Sequence, residues 1–467
     1  MIGGKLFMLT GVWLIVALVV AIAVMIFMIS KLKVHPFLSM LTISIVLALL
    51  VLPIDKVAGT INAGFGGTMT SIGIVIILGA LIGFIVEKTG AAIKIADLVV
   101  RLVGKNHPEL ALLIMGWIVS IPVFCDSGFV ILNPIRKSLR AKTKKSAVAL
   151  SVCLSLGLYA SHVFIPPTPG PIAAAASVGL GENLLLIIGM GALVSIFALI
   201  PSYFFALYIG KRVKTPDDED NDENDNDENI VNAFDNLKNE YGKLPNAWLS
   251  FAPIVVPVIA MALGTIANIF KWGPVFSFIG APIIALFIGL IFGVILLFVT
   301  GKIKNFSVLT EENLKIVGPI LFITAAGGVL GRVIADAGVV QFVTENAGTF
   351  KALGILFPFI IAAILKIAQG SSTVAITTTA AMLGLFTDPN SVMTALGFTT
   401  PVAAALVVMA IGAGAMTVSH ANDSYFWVVT NMSGMTPEQG YKTQTLGTLV
   451  SGIGSIIGIV LLSFIFI

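Results

Sequence analysis

Four short polar segments interrupt long apolar runs, and they hold most of the residues able to do chemistry. They are Asp126-Ser127-Gly128, Ser161-His162 with the following Val-Phe-Ile-Pro-Pro-Thr168-Pro-Gly-Pro171, Gln369-Gly370-Ser371-Ser372-Thr373, and Ser419-His420-Ala-Asn422-Asp423-Ser424. Each breaks a helix with Gly, Pro or a short polar side chain. A broken helix exposes backbone N–H groups at the N-terminus of its second half, and such groups bind anions, a carboxylate among them. The nearby Ser, Thr, Asn and Gln side chains suit a ligand rich in hydroxyls. Asp126 is a carboxylate at a loop tip, suited to carry a proton, and Asp423 is either a second proton-coupling group or the cap of the next half-helix. His162 and His420 occupy matched positions, where they bind ligand, relay protons or hold the breaks together.

Other polar residues carry less. Lys366 and Arg332 attract an anion or snorkel to an interface. Glu87 and Asp336 fall near the ends of apolar runs and are expected to be solvated. Thr377–Thr379 are expected to bond back to their own helix, and Gly412-Ala-Gly414 to mark close helix packing. Cys125 and Cys153 have neither metal nor redox spacing and are expected to be buried reduced thiols. No metal set can be assembled from four histidines, and no hydrolase motif appears.

The elements that must position these residues belong to a membrane protein. Of the 467 residues, 57% are hydrophobic and 11% charged, whereas a soluble chain is about 25% charged. Net charge is +3, which gives no reason to expect a nucleic-acid partner. Apolar runs long enough to span a bilayer fall at about 6–29, 34–52, 68–86, 147–165, 184–209, 248–269, 274–299, 315–335, 393–416 and 447–467. The first is too long for a signal-peptide core and is read as a retained helix. Two further stretches, about 109–136 and 351–387, are broken in the middle and read as re-entrant hairpins. Basic clusters after the first span, the first hairpin, the fifth span and the seventh span all fall on one side if each hairpin enters and leaves by the same face. Positive charge makes that side the cytoplasm.

Gly79 to Gly90 aligns without gaps on Gly327 to Gly338, and in each half a broken hairpin and a helix ending in Ser-His follow. The expected fold is an all-α polytopic membrane protein of two inverted repeats, each of five spans and one hairpin. The domains are 1–210, with hairpin about 109–136 and break 161–171; 211–246, an acidic cytoplasmic linker; and 247–467, with hairpin about 351–387 and break 419–424. The run 217–229 is expected to stay solvated because its charges repel. Inverted repeats with discontinuous helices at mid-membrane indicate a secondary transporter. A passive channel and an intramembrane hydrolase are the readings from other classes.

At the same four segments the sequence resembles the gluconate:proton symporter (gluconate permease) family. The matching stretches are Phe124-Cys-Asp-Ser-Gly-Phe-Val130, His162-Val-Phe-Ile-Pro-Pro-Thr-Pro-Gly-Pro171, Gln369-Gly-Ser-Ser-Thr-Val-Ala375 and Ser419-His-Ala-Asn-Asp-Ser-Tyr-Phe-Trp427. The resemblance implies a dimeric elevator in the inner membrane and proton-coupled uptake of gluconate or a related small hydroxy acid. It also implies that the two tips and two breaks line the substrate site. D-serine, glycerate or another small carboxylate is the alternative cargo, and sodium the alternative coupling ion; no cofactor is expected. The chain departs from the family in having Cys125 where an aromatic residue is common, and in its acidic insert.

Overall fold

In hydrocarbon a backbone polar group has no water to bond, so an apolar chain must pair its N–H and C=O groups within each segment. Every element is accordingly a helix among the residues that the computed structural model describes, which are 9, 11–103, 107–219, 244–337 and 353–466. Among the described residues, eight helices are long and apolar enough to cross a membrane.

The first half runs Val12–Ser30, Pro36–Val51, Ile54–Lys88, Ala91–Val103, a split pair Pro108–Val119 and Cys125–Thr143, a second split pair Ala147–Phe164 and Pro169–Ser177, then Leu184–Ile209. The second half runs Ala247–Phe270, Pro274–Gly280 with Pro282–Val299, Phe306–Asp336, Leu356–Gln369 with Ser372–Leu383, Pro401–Met416 with Ser424–Met432, and Leu446–Phe466. The expected span 68–86 begins earlier, because nothing stops the helix between Ile54 and Lys88; it is 35 residues long. The expected span 274–299 is two helices, since Ala281 before Pro282 is held extended. The expected span 393–416 has a regular helix only from Pro401, a favoured first helical residue.

Three of the four limbs expected to form hairpins are short, and the fourth, Cys125–Thr143, has 19 residues. Pro108–Val119 has 12 residues, Leu356–Gln369 has 14 and Ser372–Leu383 has 12. At 1.5 Å per residue each is about 18–21 Å long, less than a bilayer core.

The two long helices, Ile54–Lys88 and Phe306–Asp336, pack along each other through small residues. A Cβ on Gly64 would lie 2.7 Å from the Gly328 carbonyl oxygen, and one on Gly328 would lie 1.9 Å from the Thr68 hydroxyl. Two glycines that align between the halves, Gly83 and Gly331, each meet a main-chain carbonyl of a hairpin, at different places along it. Gly83 faces the first tip, where a Cβ would meet the Pro122 carbonyl oxygen at 1.7 Å. Gly331 faces the second hairpin, where a Cβ would meet the Ala381 carbonyl oxygen at 2.0 Å. Each hairpin thus rests on the long helix of its own half at a position only glycine can occupy. Gly412 and Gly414 are close-packing residues as expected, against the carbonyls of Val163 and Phe359. Both cysteines are free and buried.

The acidic run does not begin in solvent. Asp217 pairs with Arg136 at 3.0 Å, and Arg136 is wholly buried. The Asp218 carboxylate accepts from the Ala147 amide at 2.7 Å and lies 3.8 Å from Arg140. These two carboxylates therefore correct the expectation of a solvated stretch: they neutralise guanidinium groups at the base of the first hairpin. The rest of the run, from Asp220, lies outside the described residues, as does Gly338.

Two outcomes follow from this packing. Gly83→Leu and Gly331→Leu should each lower the melting temperature, with overpacking costing about 1–3 kcal/mol or more, whereas Gly66→Leu, which meets open space, should not. Asp217→Ala should destabilise by about 3 kcal/mol, the low end for breaking a buried pair because the Asp217 side chain is 31% exposed. Denaturation of purified variants in detergent measures both.

Candidate functional site

The first tip forms because Pro122 ends one helix and Phe124, held extended, starts the next. The Ser120 hydroxyl donates to the Val123 carbonyl at 2.9 Å, and the Gly128 amide to the Phe124 carbonyl at 2.8 Å. This sets Asp126 in the first turn of Cys125–Thr143, where a carboxylate meets the positive end of the helix. Its Oδ1 accepts from the Ser424 hydroxyl at 3.4 Å and Oδ2 from the Cys125 thiol at 3.8 Å.

The first break is made by proline. Ile165 is extended ahead of Pro166, Pro167 and Pro169, which lack N–H groups and cannot continue the helix. Thr168 is buried and donates to the Ile165 carbonyl at 2.7 Å; Ser161 is buried and donates to the Leu158 carbonyl at 3.5 Å. His162 is 7% exposed and stacks on Tyr159, and its Nδ1 has no partner among the described residues.

The second tip turns on Gly370, whose φ is +90° and whose Cβ, were there one, would lie 2.1 Å from the Asn422 carbonyl oxygen. Ser371 then caps Ser372–Leu383 by accepting from the Val374 amide at 3.3 Å. The backbone of Gln369 ends the preceding helix, and its side chain lies outside the described residues.

The second break has no proline. Its freed backbone groups are taken by side chains of the last helical run: Ser419 N–H donates to the Thr448 hydroxyl at 2.9 Å, and the Thr445 hydroxyl donates to the Ser419 carbonyl at 2.6 Å. A π-helical turn, Tyr441–Thr445, delivers Thr445 there. His420 Nε2 and Asn422 Nδ2 both meet the Ile367 carbonyl, at 3.0 and 2.8 Å, and so tie the break to the second tip. Asp423 caps Ser424–Met432, its Oδ1 accepting from the Tyr425 amide at 3.0 Å, while Oδ2 accepts from the Ser419 hydroxyl at 2.5 Å and from Lys366 at 2.6 Å.

These elements enclose a cavity of ≈ 510 Å³. The sequence-predicted residues on its wall are Asp126, Ser127, Gly370, Ser371, Ser372, Thr373, Asn422 and Asp423 with His162, closed on one side by Ile316, Ile320 and Ile323. Gly128 sits one turn behind, where a Cβ would meet Leu158 at 2.6 Å. Ser161, Thr168, Ser419 and His420 are not on the wall; each bonds backbone or a neighbouring side chain and supports a break from behind.

Several expectations are corrected here. Lys366 neither snorkels nor lies free to attract an anion, because it is wholly buried and spent on Asp423. Arg332 stands away from the cavity and pairs with Asp336 at 3.0 Å, and Asp336 also takes the Thr60 hydroxyl at 2.8 Å. The Glu87 side chain is 12% exposed rather than solvated, 3.6 Å from Lys88 and within reach of Ser127. Of the three threonines, Thr377 bonds back along its helix, to Val374 at 3.2 Å; Thr378 donates to the Met40 sulfur, and Thr379 has no partner among the described residues. Tyr159 and Tyr425 also line the cavity and were not anticipated; the available signal was an aromatic residue within three positions of each break.

Apolar spanning helices, interrupted around a polar cavity, define a multi-pass membrane transporter rather than an enzyme. The chain belongs to the GntP permease family, whose model matches residues 13–465. It is 33% identical to an uncharacterized permease of Haemophilus influenzae, over 97% of this chain and 92% of that one. It is 30% identical to the gluconate permeases of Zymomonas mobilis, over 96% of this chain and 97% of that one, and of Bacillus subtilis, over 97% and 99%. The fold is similar to that of the YdaH transporter of Alcanivorax borkumensis, with TM-score 0.62 at 14% identity over 92% of this chain and 99% of that one. As in the family, the protein is a multi-pass protein of the inner membrane.

Gly370→Ala should weaken ligand binding at least tenfold and lower the melting temperature, since it combines strain at positive φ, of order 1–3 kcal/mol, with a clash against Asn422. Gly397 has φ +94° and open space around it, so Gly397→Ala carries the strain alone and should leave binding unchanged.

Proposed function

We propose that this protein is a proton-coupled symporter for gluconate or a related small hydroxy-carboxylate. One observation carries the proposal: the N-terminal ends of Cys125–Thr143, Ser372–Leu383 and Ser424–Met432 all lie on one cavity, with Asp126 the one carboxylate of its described wall outside an ion pair. Backbone N–H groups at Ser127, Thr373 and Ser424 suit a substrate carboxylate, and the hydroxyls of Ser127, Ser371, Thr373 and Ser424 with the Asn422 amide suit its hydroxyl groups. The names of the relatives support gluconate in particular. Asp126 is the proposed proton carrier. Asp423, the other expected carrier, accepts three hydrogen bonds including one from an ammonium, and its proposed part is to hold the second break.

The proposed machine is two inverted repeats, with both hairpins and both broken helices moving as one unit against the remaining spans in each protomer of a dimer. Gly83 and Gly331 align between the halves, and each packs a long helix against a hairpin of its own half, which supports the repeat.

The deciding measurement is uptake of labelled gluconate into proteoliposomes under an inward proton gradient, with glycerate and D-serine as competitors. Accumulation that collapses with the gradient is expected; accumulation unaffected by dissipating it would overturn proton coupling. Asp126→Asn should abolish gradient-driven accumulation while substrate binding survives, and unaltered accumulation would remove the role given to Asp126. A disulfide joining the first hairpin to the long helix Ile54–Lys88 at positions away from Gly83, made after replacing Cys125 and Cys153, should stop transport and spare binding. Transport through that lock would refute the moving unit.

A further inference from the structure

Lys366 is 0% exposed, in the last turn of Leu356–Gln369. Its Nζ donates to the Gly370 carbonyl at the second tip and, at 2.6 Å, to Asp423 Oδ2 at the second break. The same Oδ2 accepts from the Ser419 hydroxyl at 2.5 Å, and the Tyr159 ring lies 5.6 Å from the ammonium. Cys125 of the first tip and His162 of the first break face the pair from the other half, and Asp126 faces Asp423. A carbonyl at the negative end of a helix, a carboxylate and a hydroxyl make a set of hard oxygen donors, the kind that binds a small alkali cation. Here a covalently tethered ammonium occupies it.

We infer that Lys366 is a built-in cation, which joins the second tip to the second break at the place where a transporter without it would need a dissolved sodium ion. The inference rests on the symporter reading and deepens it by naming what keeps sodium from the second tip and break. Asp423 is neutralised in this structure without an ion from solution, so sodium has no vacant carboxylate to bind at this tip. Lys366 is a positioning residue, acting on substrate through the tip and break that it holds together.

The test is thermal unfolding of the full chain in detergent, in sodium chloride against choline chloride, with no substrate present. The wild type should melt at the same temperature in both. Lys366→Ala should melt lower in choline and gain several degrees in sodium, with half-saturation in the millimolar range, because the emptied position then takes the ion. Lys366→Met/Asp423→Asn, which removes both charges, should fold and ignore sodium. A wild type stabilised by sodium overturns the inference, as does a folded Lys366→Ala that ignores it. If Lys366→Ala folds only in sodium the inference stands; if it folds in neither salt while the double variant folds, the position cannot hold a free cation and the inference falls. Gluconate plays no part in this readout, so a negative uptake result leaves it intact, and a failed sodium test leaves proton-driven uptake open to its own measurement.

Discussion

Opening a helix at membrane depth frees backbone N–H and C=O groups that hydrocarbon cannot satisfy, at several kcal/mol each. This chain does so four times around one cavity, and the rest of the structure is arranged to make those openings tolerable. At the first tip Ser120 bonds the Val123 carbonyl. At the first break Pro166, Pro167 and Pro169 remove the donors outright, and Thr168 takes the Ile165 carbonyl. At the second tip Lys366 takes the Gly370 carbonyl and Ser371 the Val374 amide. At the second break Thr445, Thr448 and Asp423 take what is left.

The two halves solve the same problem by different chemistry, and the difference distributes charge. Proline needs no partner, so the first break is bordered by apolar and aromatic side chains and a histidine. The second break depends on side chains reaching in from other elements, so it collects a carboxylate, an ammonium and several hydroxyls. The carboxylate and ammonium cancel. An isolated buried charge is far more costly than a pair, and removing either member would strand the other. What remains on the cavity wall is Asp126 at the first tip, facing Ser424 from the second half. The carboxylate that holds the backbone open is thereby a different one from the carboxylate left outside an ion pair on the described wall.

Much of this was legible in the sequence, because polar residues within apolar runs are few and their costs are high. The four segments, the small-residue packing of Gly412 and Gly414, the buried thiols and the family could all be read directly. Pairings between distant positions could not. Lys366 reaches Asp423 across 57 positions and Arg136 reaches Asp217 across 81, and nothing local distinguishes a lysine that snorkels from one that is buried against a carboxylate. The same limit applies to Asp217 and Asp218. They head a run whose composition signals solvation, but two buried guanidinium groups need counter-charges, and the chain returns close enough to supply them. Ser161, Thr168, Ser419 and His420 were legible as polar residues at breaks; composition alone does not tell which side of the wall a hydroxyl faces.

The geometry also constrains how the cavity can change shape. His420 and Asn422 both bond the Ile367 carbonyl, Lys366 bridges Gly370 to Asp423, and the Tyr425 hydroxyl donates to the Ser155 carbonyl in the first half at 2.9 Å. The second tip, the second break and the helix of the first break are therefore cross-tied by directional bonds. Against the long helices, by contrast, the contacts at Gly83 and Gly331 bring main chain to main chain with no side chain interposed. Directional bonds resist displacement, whereas packing of small residues opposes separation but holds no register. Around the cavity the second tip, the second break and the helix of the first break are held by directional bonds, whereas at Gly83 and Gly331 the long helices meet the hairpins by close packing.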